Sequence, residues 1–141
     1  MQWTVLASDA TSTSEEHERV SHGGERCLYG TEWWEVPAGR IESEEVPEDA
    51  AYREVLEGTG WRLTGPLQPL VACHPANCIC DLTFHLLTAQ GAEYVGEPSG
   101  PSEAQRVWVP RHEARQPALT GALPDGLTLT ALLFAMARGV L

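Results

Sequence analysis

The sequence predicts a mixed α/β sandwich, and three observations carry that expectation. The chain has 141 residues, enough for one domain with a real core. Its apolar content of 43% beside 21% charged residues is that of a globular chain rather than a disordered one. The local signals run strand, helix, strands, helix, without the regular alternation of a βαβ array. No internal repeat, low-complexity tract or linker divides the chain, so residues 1–141 are expected to form a single domain.

Residues 2–7, QWTVLA, read as a short strand, and SDATSTSEE after them as a polar loop. In ERVSHGGERCLY, Gly23-Gly24 lies between two potential strands as a two-residue hairpin turn. TEWWEV, rich in aromatic and β-branched residues, reads as a strand stopped by Pro37. GRIESEEV then forms a loop leading into a helix over 47–59. Pro47 suits the first helical position, and Glu48 and Asp49 favour the positive end of the helix dipole. Ala50, Ala51, Val55 and Leu56 supply an apolar face, and Gly60 is a natural left-handed terminator. Further strands are expected near LTGPLQPLVAC, CICDLTFHLLTA and AQRVWVP. GEPSGPSE is a loop between the last two, and a final helix starts at about Thr128.

A formal charge of −11 and a pI near 4.7 argue against nucleic-acid or anionic-membrane partners, which need a basic footprint. Anionic small molecules stay accessible where a divalent cation mediates the contact. All nine basic residues are Arg, so lysine nucleophiles and Schiff bases are excluded. The N-terminus lacks a basic region followed by an apolar core. The apolar run LTLTALLFAMARGVL contains Arg138 and is too short to span a membrane. A soluble, cytoplasmic protein is expected.

Cys73, His74, Cys78 and Cys80 crowd into CHPANCIC. One reading is a thiolate zinc site using Cys73, Cys78 and Cys80, although the spacing is not the usual C-x-x-C. The favoured reading follows the period-two alternation of Cys78, Cys80, Leu82, Phe84 and Leu86, a half-buried strand with small apolar thiols. The five histidines lack metal spacing, and His85 is expected at the surface or hydrogen-bonded.

Seven acidic residues fall within 39–61, GRIESEEVPEDAAYREVLEGTGW. Glu54 and Glu57 are three apart on the expected helix and share a face, as do Arg53 and Glu57 at four apart. Two readings of this face stand. It is either a solvated acidic surface, or a site where Arg53 and a hard cation such as Mg²⁺ offset the repulsion, with Glu42, Glu44 and Glu45 near enough to assist.

Read from Gly39, the segment is G-x5-E-x7-R-E-U-x-E-G-x-G-W, where U is bulky and aliphatic. It resembles the Nudix box, G-x5-E-x7-R-E-U-x-E-E-x-G-U, over its whole length, through Gly39, Glu45, Arg53, Glu54, Val55, Glu57 and Gly60. The lead-in WEVPAGRIE is similar to that of ADP-ribose and nucleoside-diphosphosugar pyrophosphatases. VWVP and DGLTLTALLFA are similar to that subgroup's last strand and last helix, which takes the resemblance over roughly residues 33–136. It implies an α/β/α sandwich with a mixed sheet, and Mg²⁺- or Mn²⁺-dependent hydrolysis of a small nucleoside diphosphate derivative. It implies Glu54, Glu57 and the Ala38 carbonyl as metal ligands, and Glu45 paired with Arg53 to lock loop onto helix. It also implies a general base from a later acidic loop, for which Glu103 is the first candidate and Glu97 the second. Arg40 is a candidate phosphate contact, and Trp34 a candidate base-stacking residue. One of Trp33 and Trp34 is expected in the core and the other facing a cleft. Homodimerisation is a further family expectation. Two departures are plain: Gly58 stands where the box has a second consecutive Glu, and HERVSHGGERCLYG is short of the aliphatics expected before the box.

Overall fold

The computed structural model describes residues 2–10, 17–23, 33–76, 78–99 and 106–141. Among these residues, nine strands and three helices follow in the order β1 (Gln2–Ala10), β2 (His17–Gly23), β3 (Trp33–Glu35), β4 (Ala38–Arg40), α1 (Pro47–Thr59), β5 (Trp61–Thr64), β6 (Gln68–Cys73), β7 (Thr83–Ala89), β8 (Gly91–Tyr94), β9 (Arg106–Pro110), α2 (Arg111–Thr120) and α3 (Gly126–Ala137).

The main sheet has the order β3-β2-β1-β7-β6, with β4 also on β1 and β9 also on β2. It is mixed. β1 runs parallel to β7 from Gln2 beside Thr83 to Ser8 beside Ala89, and every other pairing is antiparallel. β5 and β8 form a second, two-stranded sheet with Trp61 opposite Tyr94.

Successive side chains of a strand point to opposite faces, and β7 uses this to build two cores. Leu86 joins Val36, Leu70, Val109 and Leu132 in a cluster that includes Ala114 and Ala118 of α2 and Ala131 and Ala135 of α3. Leu87 and Ala89 face the other way, onto Ala51 and Val55 of α1 and Leu63 of β5. Helices thus cover both faces, giving the expected α/β/α sandwich.

The helix at 47–59 forms where the sequence places it. Gly60 caps it at φ +73°, its N–H donating to the Leu56 carbonyl at 2.8 Å. A side chain at 60 would also strike the Gly96 carbonyl. The last helix starts two residues before Thr128, capped by Asp125, whose carboxylate accepts from Thr128 N at 2.7 Å. The Thr128 hydroxyl, fully buried, accepts from Val36 N at 3.1 Å. One residue therefore joins α3 to the segment that leads into α1.

Several expectations are corrected. The single strand expected over LTGPLQPLVAC is two, broken at Gly65 (φ +73°) and Pro66. The strand expected from Cys78 begins at Thr83. Cys78 and Cys80 are exposed, in a turn where Ile79 N and Cys80 N both donate to the Ala76 carbonyl. His85 is neither exposed nor satisfied, since its Nε2 is buried without a hydrogen-bond partner. Helix α2, which the sequence reading does not expect, carries Pro117 within it. Pro117 falls in the last turn, while Ala114 and Ala118 bury one stripe and Gly121 terminates the helix at φ +71°. The second strand of the hairpin expected at Gly23-Gly24, with Cys27, lies outside the described residues. No helix among the described residues is long and apolar enough to cross a membrane.

Candidate functional site

The site is built where β4, the loop 41–46 and α1 meet. Its centre is Arg53. The guanidinium donates from Nε and from one terminal nitrogen to the two oxygens of Glu45, at 2.9 and 2.7 Å. The same terminal nitrogen reaches the Arg40 carbonyl at 2.9 Å. The other terminal nitrogen meets Glu54 at 2.7 Å and lies 3.7 Å from Glu57. Such a fork–fork pairing fixes both partners in orientation as well as distance.

The loop is shaped to deliver Glu45. Its N–H donates to the Glu42 carbonyl at 3.2 Å, and its carboxylate accepts from Glu42 N at 3.0 Å. Glu44 takes φ +67° at the turn, a conformation uncommon outside glycine. The hydrogen bond from Arg53, with that from Glu42 N second, pulls the Glu45 pKa from 4.5 down to about 2. Arg53 is held still further above its already high value, first by Glu45.

Gly39 decides where Glu54 lies. A Cβ at 39 would overlap Cγ, Cδ and Oε2 of Glu54, so the bare glycine is a cradle for that carboxylate. Glu54 is thereby held against Gly39. Glu57, one turn on and about half exposed, shares its face. Two carboxylates on a rigid helix beside a strand backbone suit a small hard cation that takes oxygen ligands and retains water. The donor chemistry of Glu54 and Glu57 is of the kind that Mg²⁺ or Mn²⁺ takes. No group of three His, Cys, Asp or Glu side chains arranged for a metal ion occurs among the described residues. A Cβ at 58 would meet nothing within 4 Å. A side chain at 58, where the box has its second Glu, would stand in open space.

The chain belongs to the Nudix family. The NUDIX domain model matches residues 17–130. The chain is 33% identical over 107 residues to a CMP-5'-(N-acetyl-N-hydroxy-3-aminopropyl)phosphonate hydrolase of Streptomyces rubellomurinus, covering 75% of this chain and 52% of that protein. It is 30% identical over 112 residues to an ADP-ribose pyrophosphatase of Mycobacterium tuberculosis, covering 77% and 54%. It thus spans about half the length of these two relatives. Among solved structures it superposes on one described as an ADP compounds hydrolase, with a TM-score of 0.79 at 16% identity, over 99% of this chain and 75% of that one. At that identity the likeness shows the Nudix fold alone.

The other residues singled out in the sequence fall as follows. Arg40 is exposed at the end of β4, and its carbonyl serves Arg53. Trp33 is buried, donating from Nε1 to Glu35 at 2.8 Å. Trp34 is half-buried and packs against the larger core cluster rather than standing clear of it. Glu97 is exposed and accepts a hydrogen bond from the Tyr94 hydroxyl at 3.0 Å. Glu103 lies outside the described residues. Glu42 and Glu44 are exposed, leaving Glu45 as the member of that trio engaged with the helix.

Sequence reasoning missed Arg106. Its Nε donates to the Gly58 carbonyl at 2.8 Å, across 48 positions of chain. The usable signal was the alternation in RVWVP, which puts Arg106 and Trp108 on one face of β9.

Proposed function

We propose that this Nudix domain hydrolyses the phosphoanhydride of a nucleoside diphosphate derivative, ADP-ribose or a related nucleotide sugar, with Mg²⁺ or Mn²⁺. The observation that carries the reading is the Gly39 cradle, which holds the Glu54 carboxylate against that glycine with Glu57 on the same helical face. The printed activities of the two relatives, on ADP-ribose and on a CMP-linked phosphonate, support the substrate class.

Glu54, Glu57 and the Ala38 carbonyl would hold the cation, which supplies charge screening at the diphosphate and lowers the pKa of a bound water. Arg53 orients Glu54, and Glu45 holds Arg53. A carboxylate from the sequence after β8, Glu103 or Glu97, accepts the proton of the attacking water. The water oxygen joins one phosphorus and the bridging oxygen leaves on the other, so ADP-ribose yields AMP and ribose 5-phosphate. Arg40, exposed at the end of β4, is the candidate contact for a phosphate oxygen, and Trp34 the candidate for stacking on a base.

Incubation with ADP-ribose and Mg²⁺ or Mn²⁺, followed by detection of AMP, is the direct trial. Glu54→Gln is expected to abolish turnover while the protein stays folded. Absence of product from nucleotide sugars, dinucleotides, nucleoside triphosphates and CMP-linked phosphonates overturns the hydrolase reading. Gly58 favours a second reading, a Nudix domain that binds a nucleotide without turning it over. That reading predicts ligand-dependent thermal stabilisation with no product.

A further inference from the structure

The two oxygens of the Glu54 carboxylate are not equivalent. Oε1 accepts from a terminal nitrogen of Arg53 at 2.7 Å. Oε2 is among the atoms that a Cβ at Gly39 would overlap, and it accepts no hydrogen bond among the described residues. Arg53 is held in place from its other side. Its Nε and second terminal nitrogen donate to Glu45 at 2.9 and 2.7 Å, and the second also to the Arg40 carbonyl at 2.9 Å. Glu57 meets the Glu54-bound nitrogen more loosely, its Oε2 lying 3.7 Å away with the side chain 47% exposed.

We infer that Arg53 sets the cation preference of this site. By holding Oε1 of Glu54 it leaves one oxygen of that carboxylate for a metal ion, which favours Mg²⁺ or Mn²⁺ over Ca²⁺. The inference rests on the metal-dependent reading of the site given above.

The cations differ in how many protein oxygens they take. Mg²⁺, with Mn²⁺ beside it, prefers an octahedral shell, keeps several waters and is bound through one or two carboxylates. Ca²⁺ takes about six to eight oxygens and often chelates a carboxylate through both of its atoms. A cation chelated by both oxygens of Glu54 would share Oε1 with the guanidinium and meet its positive charge at close range. A cation on Oε2 alone avoids that sharing. Repulsion between like charges grows as water is excluded, and the Glu54 side chain is only 23% exposed. Glu45 makes the arrangement stiff. Its two-point pairing with Arg53 fixes the plane of the guanidinium. Its pKa of about 2 keeps it ionised at neutral pH, so Arg53 stays anchored while a metal ion competes for Glu54.

The probes are Mn²⁺, followed by its EPR signal, and Ca²⁺, measured by displacing Mn²⁺ from the protein at constant ionic strength. Wild type should hold Mn²⁺ about tenfold or more tighter than Ca²⁺. In Arg53→Met the loss of a positive charge strengthens both cations through the same Coulomb attraction, so the ratio of affinities is the readout. That ratio should fall by about tenfold as Oε1 becomes free. A folded Arg53→Met with the wild-type ratio overturns the inference, as does a wild type that holds Ca²⁺ as tightly as Mn²⁺. Should Arg53→Met fail to fold, infrared spectra of the wild type decide. The separation of the two carboxylate stretches tells one-oxygen from two-oxygen binding, and the bands of Glu54 are those that Glu54→Gln removes. A two-oxygen signature at Glu54 with either cation overturns the inference. Mn²⁺ binding that Glu54→Gln abolishes, with a ratio indifferent to Arg53, removes the selectivity and keeps the metal site. Mn²⁺ binding indifferent to Glu54→Gln removes both. The expected ratios without hydrolysis of ADP-ribose keep the selectivity and remove the catalytic reading.

Discussion

The methyl group that Gly39 lacks would stand where Glu54 keeps its carboxyl group. A residue of the strand before the helix thus sets the position of a residue fifteen places later, by having no side chain. The atoms in the way belong to Glu54's own chain, so Gly39→Ala is expected to expel Glu54 rather than remake the backbone. Overpacking of this kind costs about 1–3 kcal/mol, and misplacing the carboxylate should reduce Mn²⁺ affinity by about 10- to 100-fold. Urea denaturation and Mn²⁺ titration separate the two effects. Unchanged Mn²⁺ affinity would count against Glu54 as a ligand.

The Glu45–Arg53 pair makes a pH prediction. Glu45 is depressed from 4.5 to about 2 in the fold, so the folded state holds its proton less tightly than the unfolded chain does. The stabilisation is then fully present above about pH 4.5 and is lost as pH falls through about 2. The stability difference between wild type and Glu45→Gln, measured in EDTA, should be flat from pH 5 to 8 and shrink on acidification below 4.5. A difference that grows on acidification would show that the pair is not formed in solution.

Gly58 separates stability from chemistry. It sits inside α1 with open space around its missing Cβ, so Gly58→Ala should stabilise by about 0.5–1 kcal/mol through helix propensity and a less entropic unfolded chain. Gly58→Glu restores the box and should tighten Mn²⁺ binding. Manganese titration of the wild type and the two variants checks this. Equal affinity in all three would show that position 58 does not face the cation.

Thr128 is the remote support of the site. Thr128→Val keeps the shape but leaves the buried Val36 N–H without its acceptor, which should cost about 1–3 kcal/mol. Thr128→Ser retains the hydroxyl and should recover most of that loss in thermal denaturation. Equal losses in both variants would assign the cost to packing instead.

The acidic helix and its ends were legible because their causes are local. Pro47, the first-turn acids and Gly60 act within one turn, and Glu54 shares a face with Glu57 through helix geometry alone. The box spacing then named the family. The strands were legible only in part. LTGPLQPLVAC carried its own break at Gly65 and Pro66, yet its apolar run concealed it. CICDLTF alternated like a strand although its first residues form a turn. Periodicity reports which residues can be buried, while pairing depends on what lies alongside.

From the sequence alone came the helix over 47–59, the pairing of Glu45 with Arg53 through the resemblance, and the absence of a carboxylate at 58. The tertiary structure decided which face of β7 meets which helices, that Gly39 makes room for Glu54, and that Arg106 arrives at Gly58 from 48 positions away. The physical reason is range. Capping, propensity and helical spacing act over a few residues. The meeting of distant segments is settled by burying both faces of one sheet at once, a condition that no single stretch of sequence contains.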